Sequence, residues 1–297
     1  MTDAGDGPDR SDPPEPFGLL GHGARAGILR ALREAGAGGY DADPLSFSEL
    51  FERSGIEDAS TFDRHLRLLT GQFVAATEAG YTVRYPGRKL LRAIDAGRAS
   101  ADGFDEAAID GVCPVCEARA LTAVVESDTL SVGCRACETP LTANTMPPAG
   151  FGGRDVTAAL DAYDRLVRHR VGMAVDGVCV ECAGRVTGSV TDSVPPGWDF
   201  EALVAFECIY CGFWVLPSFG LALLADPDAR AFLRTHRDPG VVDRRFWELP
   251  LCVTDEYTAV ESRGPWRVRV TVPGDGERLV ATYDGPTLES LLVESGA

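Results

Sequence analysis

Eight of the nine cysteines in the chain fall into four Cys-x-x-Cys pairs. Two residues between the cysteines let both sulfurs turn towards one ion, and two such pairs complete a tetrahedral thiolate site. The first set is Cys113, Cys116, Cys134 and Cys137, and the second set is Cys179, Cys182, Cys208 and Cys211. Because four thiolates leave no open position for a substrate, we predict two structural zinc ions (Zn2+) per chain.

The spacing between pairs favours sites formed by neighbouring pairs. Seventeen residues separate the two pairs of the first set, which is common in zinc ribbons, and the second set has a longer gap of twenty-five. The spacing leaves open a crossed arrangement, in which Cys113 and Cys116 join Cys208 and Cys211. It also leaves open iron in place of zinc and a redox role for the pairs. The ninth cysteine, Cys252, is predicted to be a buried residue of a strand.

The rest of the C-terminal half reads as helices and antiparallel strands. A helix is predicted over residues 154–172, where it either forms a dimer contact or braces the two cysteine sets. Asp226 precedes Pro227, which predicts a capped helix that ends near His236. A second short helix is predicted over residues 239–246. The predicted strands cover residues 249–254, 257–262, 266–272 and 278–283.

The N-terminal part has the apolar spacing of short helices followed by a hairpin. Ser46 with Glu49 three residues later is a capping box, which predicts the start of a helix. Glu78-Ala79-Gly80 joins two short alternating runs, which predicts a hairpin. The predicted helices cover residues 17–35, 47–53, 58–70 and 88–98, and the predicted strands cover residues 73–77 and 81–85.

This order of elements resembles the ArsR-type winged helix-turn-helix regulators over residues 17–98. The resemblance rests on LLGHGARAGILRAL, TFDRHLRLL and YTVRYPGRKLLRAI. With its cysteine region, the whole chain resembles a family of haloarchaeal transcriptional regulators with a zinc ribbon in the C-terminal domain. The resemblance implies a homodimer whose second and third helices form the helix-turn-helix and whose hairpin is the wing. Many relatives sense metals through cysteines of the recognition helix, but this chain has no cysteine before Cys113.

A recognition helix needs hydrogen-bond donors on its exposed face, because it reads base edges in the major groove. Asp63 is unexpected there, since a carboxylate repels phosphate. The third helix and the residues at and after the hairpin supply the predicted contacts with double-stranded DNA. These candidate DNA-binding residues are Ser60, Thr61, Arg64, Arg67, Arg84, Arg88 and Lys89.

The charge distribution separates this segment from the rest of the chain. The net charge is −17, and only one lysine is present, a composition typical of proteins from salt-loving archaea. Residues 59–98 nevertheless carry seven bases and three acids. Local positive charge therefore coincides with the predicted DNA contacts. The absence of a signal peptide and of a long apolar run predicts a cytoplasmic protein that does not enter the membrane.

These features together predict an α+β multidomain protein. It is expected to be a DNA-binding transcriptional regulator and not an enzyme, because the sequence offers no phosphate loop, no catalytic triad and no open zinc site. The alternative is an interaction module that docks on RNA polymerase or another protein. The predicted parts are a disordered acidic lead-in (1–16), a winged helix (17–100), a first zinc ribbon (108–148), a connecting helix (154–172), a second zinc ribbon (176–218) and an α+β lobe with antiparallel strands (219–297).

Overall fold

The computed structural model describes residues 20–36, 43–98, 104–237 and 240–295. These form two compact units, an N-terminal unit within residues 9–100 and a C-terminal unit within residues 101–297. Both mix helices with antiparallel sheets. The predicted lead-in and the first three residues of the predicted helix 17–35 lie outside the described residues. None of the helices in the described part is long and apolar enough to cross a membrane.

The N-terminal unit has the predicted order of helices and hairpin. Its strands pair antiparallel, with Val74 opposite Val83. The last helix begins at Tyr85, so the second strand is shorter than predicted. The elements are α1 (Gly23–Glu34), α2 (Phe47–Ser54), α3 (Ala59–Leu69), β1 (Val74–Thr77), β2 (Gly80–Val83) and α4 (Tyr85–Arg98).

Local signals in the sequence set the helix ends of this unit. Ser46 Oγ accepts from the Glu49 amide at 3.3 Å, and the Glu49 carboxylate accepts from the Ser46 amide at 2.9 Å. The predicted capping box is thus confirmed. Gly55 ends α2 with a positive φ of 70°, and Asp58 caps α3. Together these caps fix a tight turn between α2 and α3.

The hairpin is tied to the chain before α2. Leu45 and Tyr81 exchange two backbone hydrogen bonds, of 3.1 and 2.8 Å. A side chain at Gly80 would come within 2.4 Å of the Leu45 carbonyl oxygen, so only glycine fits at this crossing. This bridge fixes where the hairpin leaves the helices, and the sequence analysis did not predict it.

The C-terminal unit contains three antiparallel sheets around one hydrophobic core. The strand orders are β3-β4-β5-β6, β7-β8-β9 and β10-β11-β12-β13. The strands are β3 (Glu106–Ala108), β4 (Leu121–Glu126), β5 (Thr129–Cys134), β6 (Pro140–Thr145), β7 (Val186–Thr191), β8 (Leu203–Cys208), β9 (Trp214–Val215), β10 (Thr258–Arg263), β11 (Trp266–Pro273), β12 (Glu277–Asp284) and β13 (Thr287–Ser295). The helices are α5 (Val156–Val175), α6 (Phe219–Leu223), α7 (Pro227–His236) and α8 (Pro250–Val253).

Helix α5 lies where a helix was predicted and packs into the core of its own unit. Its buried residues belong to the same hydrophobic cluster as residues from all three sheets. The apolar face of α5 is therefore used inside the chain, as expected for a brace between the cysteine sets. These buried residues are Ala159, Leu160, Tyr163, Val167, Val171 and Ala174.

The strand predicted over residues 249–254 is wrong, because this segment contains the short helix α8. Pro250 occupies the first turn, where its missing N–H costs nothing and its fixed φ suits a helix. Cys252 is buried as predicted, but in this helix and not in a strand. A side chain at Gly220 of α6 would come within 1.7 Å of the Leu251 carbonyl oxygen, so α6 and α8 pack backbone to backbone.

Two further predictions for the C-terminal lobe are corrected. The predicted second helix over 239–246 is replaced by two 3₁₀ turns, Val241–Asp243 and Phe246–Glu248, and residue 239 lies outside the described residues. The meander ends with β13, which was not predicted, and its four strands pair in chain order. The predicted capped helix is confirmed as α7, with the Asp226 carboxylate accepting from the Asp228 and Ala229 amides.

Candidate metal centres and the exposed face of helix α3

The first cysteine set comes together at one end of the β3–β6 sheet. Cys113 and Cys116 lie on the turn before β4, Cys134 ends β5, and Cys137 precedes β6. Cys113 Sγ lies 3.8 Å from Cys137 Sγ, and Cys116 Sγ lies 3.7 Å from Cys134 Sγ. All four sulfurs lie within 4.8 Å of one another.

The second set repeats this arrangement on the β7–β9 sheet. Cys179 Sγ lies 3.5 Å from Cys211 Sγ, and Cys182 Sγ lies 3.5 Å from Cys208 Sγ. Neighbouring pairs therefore form the two clusters, as their order in the chain predicted. The crossed arrangement of the four pairs is wrong.

The sulfur separations suit an ion held by four thiolates. A tetrahedron with zinc–sulfur bonds of about 2.3 Å has edges of about 3.8 Å, close to the distances observed within each cluster. Each Cys-x-x-Cys pair with its turn is called a knuckle below. Backbone amides also support the sulfurs, because the amides of Val115 and Glu181 each lie 3.4 Å from the first sulfur of their knuckle. Both clusters could hold a metal ion, and the ligand set alone does not separate zinc from iron.

The free thiols of the first cluster differ in acidity. Burial raises the pKa of Cys113 to about 12. Hydrogen bonding with the Thr139 side chain and amide lowers the pKa of Cys137 to about 6. Since only thiolates bind the metal, an ion held here would displace the proton of Cys113. Thr139 was not predicted, because a threonine two residues after a cysteine is not a pattern that indicates a role at a metal site.

All four knuckles share a backbone conformation after their second cysteine. The residue that follows has a positive φ, between 58° and 72°. Only one of the four is glycine, the residue that adopts this conformation without steric cost. The repetition indicates that the knuckle requires this turn whatever the side chain. The four residues are Glu117, Glu138, Ala183 and Gly212.

Helix α3 buries one face and exposes another. Phe62, Leu66 and Leu69 are buried, and His65 is buried beside them. Arg64 is exposed on the opposite face. The exposed face of the helix carries both arginines, Arg64 and Arg67, together with Leu68, which is 45 % exposed.

Two of the predicted donors on α3 take part in its N-cap. The Asp58 carboxylate accepts from Ser60 Oγ and from the Thr61 amide, each at 2.6 Å. Hydrogen bonds from these two residues lower the pKa of Asp58 to about 2. Asp63 is partnered by Arg67, with the Arg67 Nε 2.9 Å from the carboxylate. That ion pair explains how a carboxylate is accommodated on a face rich in arginine.

The three predicted contacts after the hairpin lie in different surroundings. Arg84 is exposed directly after β2. Arg88 is half-buried in α4, and its Nη1 donates to the Val83 carbonyl oxygen at 2.5 Å. Lys89 is half-buried in α4 as well. Arg88 therefore holds the end of β2 against α4, which leaves Arg84 as the more accessible cation.

Fold and site thus define a mixed α/β protein with two tetracysteine clusters, each able to hold a metal ion. Residues 110–287 match the model of a family described as a domain of unknown function (DUF7351), and residues 13–94 match a second such domain (DUF7347). Since the first match covers more than half of the chain, the protein belongs to the DUF7351 family. Comparisons with curated proteins and with solved structures gave no match.

Proposed function

We propose that the N-terminal unit is a winged helix that binds double-stranded DNA, and that the protein is a transcriptional regulator. In this proposal α3 is the recognition helix and the β1–β2 hairpin is the wing. Each tetracysteine cluster holds a structural zinc ion, which stabilises the C-terminal unit. The active form is a homodimer, since two recognition helices one turn of DNA apart read a site with two-fold symmetry.

The observation that carries this proposal is the row of donors on the exposed face of α3. Arg64 and Arg67 lie three residues apart, on the same side of the helix as Ser60, whose hydroxyl donates to Asp58. Phe62 and Leu66 hold the opposite side in the core. Arginine reaches guanine with two parallel hydrogen bonds, which gives base discrimination of about 1–3 kcal/mol.

The charge of this unit supports the same function. Residues 17–98 carry eleven bases and ten acids, whereas the whole chain has a net charge of −17. The exposed Arg84 after the hairpin adds a cation at the position where a wing meets the phosphate backbone. A surface spared the acidic bias is what binding to a polyanion requires.

The test is a selection from random duplexes followed by affinity measurements. We expect enrichment of a pseudo-palindrome by the intact protein. Arg64→Ala should weaken binding to that site by roughly 5- to 150-fold and binding to random DNA much less. Arg84→Ala should weaken binding to the selected site and to random DNA equally. It should also reduce the slope of log affinity against log salt concentration by about one, because one phosphate contact is lost.

Arg30→Ala is the matched control, because Arg30 is exposed on α1 of the same unit and away from the predicted contacts. It should leave both affinities unchanged. A selection without any enriched duplex would contradict DNA reading. Equal losses on selected and random DNA from Arg64→Ala would contradict base recognition by α3.

A second candidate function is docking on a protein partner such as RNA polymerase. It is favoured by apolar side chains exposed beside the clusters, since Val115 is 46 % exposed and Tyr210 is 56 % exposed. The acidic C-terminal unit would then meet a basic partner. The test is co-purification of polymerase subunits with the intact protein. Loss of these subunits in Tyr210→Ala, but not in Arg64→Ala, would favour this function over DNA reading.

A further inference from the structure

The C-terminal unit contains a cavity of about 610 Å³ between β6, α5, β9 and the loop before β8. Its volume falls within the roughly 300–1,000 Å³ that small-molecule sites occupy. Every residue of its wall belongs to this one unit. No cysteine of either cluster lines the cavity.

Part of the cavity wall is aromatic. Trp198 and Phe200 stack on each other, with ring centroids 6.1 Å apart and planes inclined by 25°. Trp214 also lines the cavity, and it is 69 % exposed, more than any other large hydrophobic residue of the described chain. Stacked and open aromatic rings offer faces on which a flat molecule can bind.

Another part of the wall is polar. Arg170 Nη1 donates to the Thr145 carbonyl oxygen at 2.7 Å, but Arg170 Nε is buried and has no hydrogen-bond partner among the described residues. Arg170 as a residue lines the cavity, so its side chain can contact a ligand bound there.

Neighbouring groups orient the polar side chains of the wall and limit the negative charge that a ligand can carry there. The Asn144 amide donates to Thr142 Oγ1 at 3.2 Å and to Tyr163 Oη at 3.4 Å, so its orientation is set. Glu181 lines the same cavity and interacts electrostatically with Arg170. A carboxylate near the arginine disfavours ligands with several negative charges.

We propose that this cavity binds a planar aromatic molecule that carries one singly charged anionic group, a carboxylate or a sulfonate. The ring lies against Trp198 and Phe200, and the anionic oxygen accepts from Arg170. The proposal concerns residues of the C-terminal unit alone, so it goes beyond the function proposed above and does not rest on it. In a regulator it would be the place for a small-molecule effector.

The experiment compares two fluorescent probes on the intact, metal-loaded protein. 1-Anilinonaphthalene-8-sulfonate has the ring system and the anion, and N-phenyl-1-naphthylamine has the ring system alone. We expect saturable binding of one sulfonate probe per chain. Trp198→Ala should weaken both probes at least tenfold, whereas Arg170→Gln should weaken the sulfonate at least tenfold and the neutral probe less than twofold.

Two control variants define the background. Arg165→Gln removes an exposed arginine of the same helix, and Leu292→Ala removes an apolar side chain that is 55 % exposed on β13. Neither residue lines the cavity, and neither change should affect binding. Metal content and circular dichroism establish that each variant is folded.

Several results would overturn the proposal. Non-saturable probe binding would do so, as would equal losses in the cavity variants and the controls. Equal losses of both probes in Arg170→Gln would exclude a role for the charge. If Arg170→Gln does not fold, Trp198→Ala decides, since unchanged sulfonate binding in that folded variant contradicts the site.

Discussion

The two units of this protein are stabilised in different ways. The N-terminal unit depends on the packing of three helices and a hairpin around a core that includes Phe62, Leu66 and Leu69. The C-terminal unit has a larger core and, at the ends of two of its sheets, both cysteine clusters. The N-terminal unit contains no cysteine, whereas the C-terminal unit adds two clusters that could cross-link it through metal ions.

The same comparison separates the units by charge. The N-terminal segment is close to neutral over residues 17–98, and the remainder carries the whole of the net negative charge. A dense acidic surface keeps a protein dissolved in concentrated salt, but it repels phosphate. The acidic bias and the proposed DNA contacts therefore lie in different parts of one chain.

Metal removal is the strongest test of this contrast. Chelation under reducing conditions should abolish hydrogen-exchange protection in the C-terminal unit and leave α1 and α3 protected. The reason is that a structural zinc ion contributes on the order of 10 kcal/mol, as much as the whole stability of a typical domain. Exchange followed by mass spectrometry on the intact chain measures both units at once.

Cysteine variants supply the control for that test. Cys134→Ala should lower the metal content from two ions to one and loosen the β3–β6 sheet. Cys252→Ala removes the one cysteine outside both clusters and should keep two ions bound. Full protection of the C-terminal unit after verified metal loss would show that its core suffices without the ions.

A smaller effect concerns the left-handed residue of the knuckles. Ala183→Gly should stabilise the metal-bound C-terminal unit by about 1 kcal/mol, because alanine pays a steric cost at a φ of 58°. Gly212→Ala, at a φ of 72° in the same cluster, should destabilise it by a similar amount. The midpoint of denaturant unfolding measures both changes.

Gly172→Ala is the control with the opposite sign. Gly172 lies inside α5, and a side chain there would meet only the Ala225 side chain at 4.0 Å. This substitution should stabilise by up to about 1 kcal/mol through helix propensity. Stabilisation by Gly212→Ala would mean that the turn is not imposed by the knuckle.

Local signals explain what could be predicted from the sequence. Cys-x-x-Cys spacing, the Ser46 capping box and the Asp226-Pro227 helix start each act over a few residues, and the structure contains all of them. These features need no knowledge of the rest of the fold. The division into domains and the DNA-contacting residues, by contrast, stay predictions.

Features that depend on distant contacts could not be predicted. The run around Cys252 is short and apolar, and such a run suits a buried helix as well as a strand. Leu45 meets Tyr81 across thirty-six positions of sequence, and Arg170 shares a cavity with Trp198. Only tertiary packing brings these residues together, so no periodic pattern marks them.

The smallest expected effect is a pH dependence of the N-terminal unit. His65 is 4 % exposed, and neither ring nitrogen has a hydrogen-bond partner among the described residues. Burial lowers the pKa of His65, and the facing His22, Arg64 and Arg25 lower it further. The His22 ring lies 4.3 Å away, and its Nδ1 accepts from the Ala24 amide. The folded unit therefore holds a neutral imidazole.

The sign of the pH effect follows from which state takes up the proton. Below about pH 6.5 the unfolded chain protonates His65 and the folded unit does not, so stability falls as the pH falls. From pH 7 to pH 6 the loss should reach at most about 0.7 kcal/mol. His65→Leu should remove this loss in the exchange protection of α1 and α3, corrected for intrinsic rates. His169→Gln, at an exposed histidine of the other unit, should not. A pH dependence of this protection that persists in His65→Leu would assign the titration to another group.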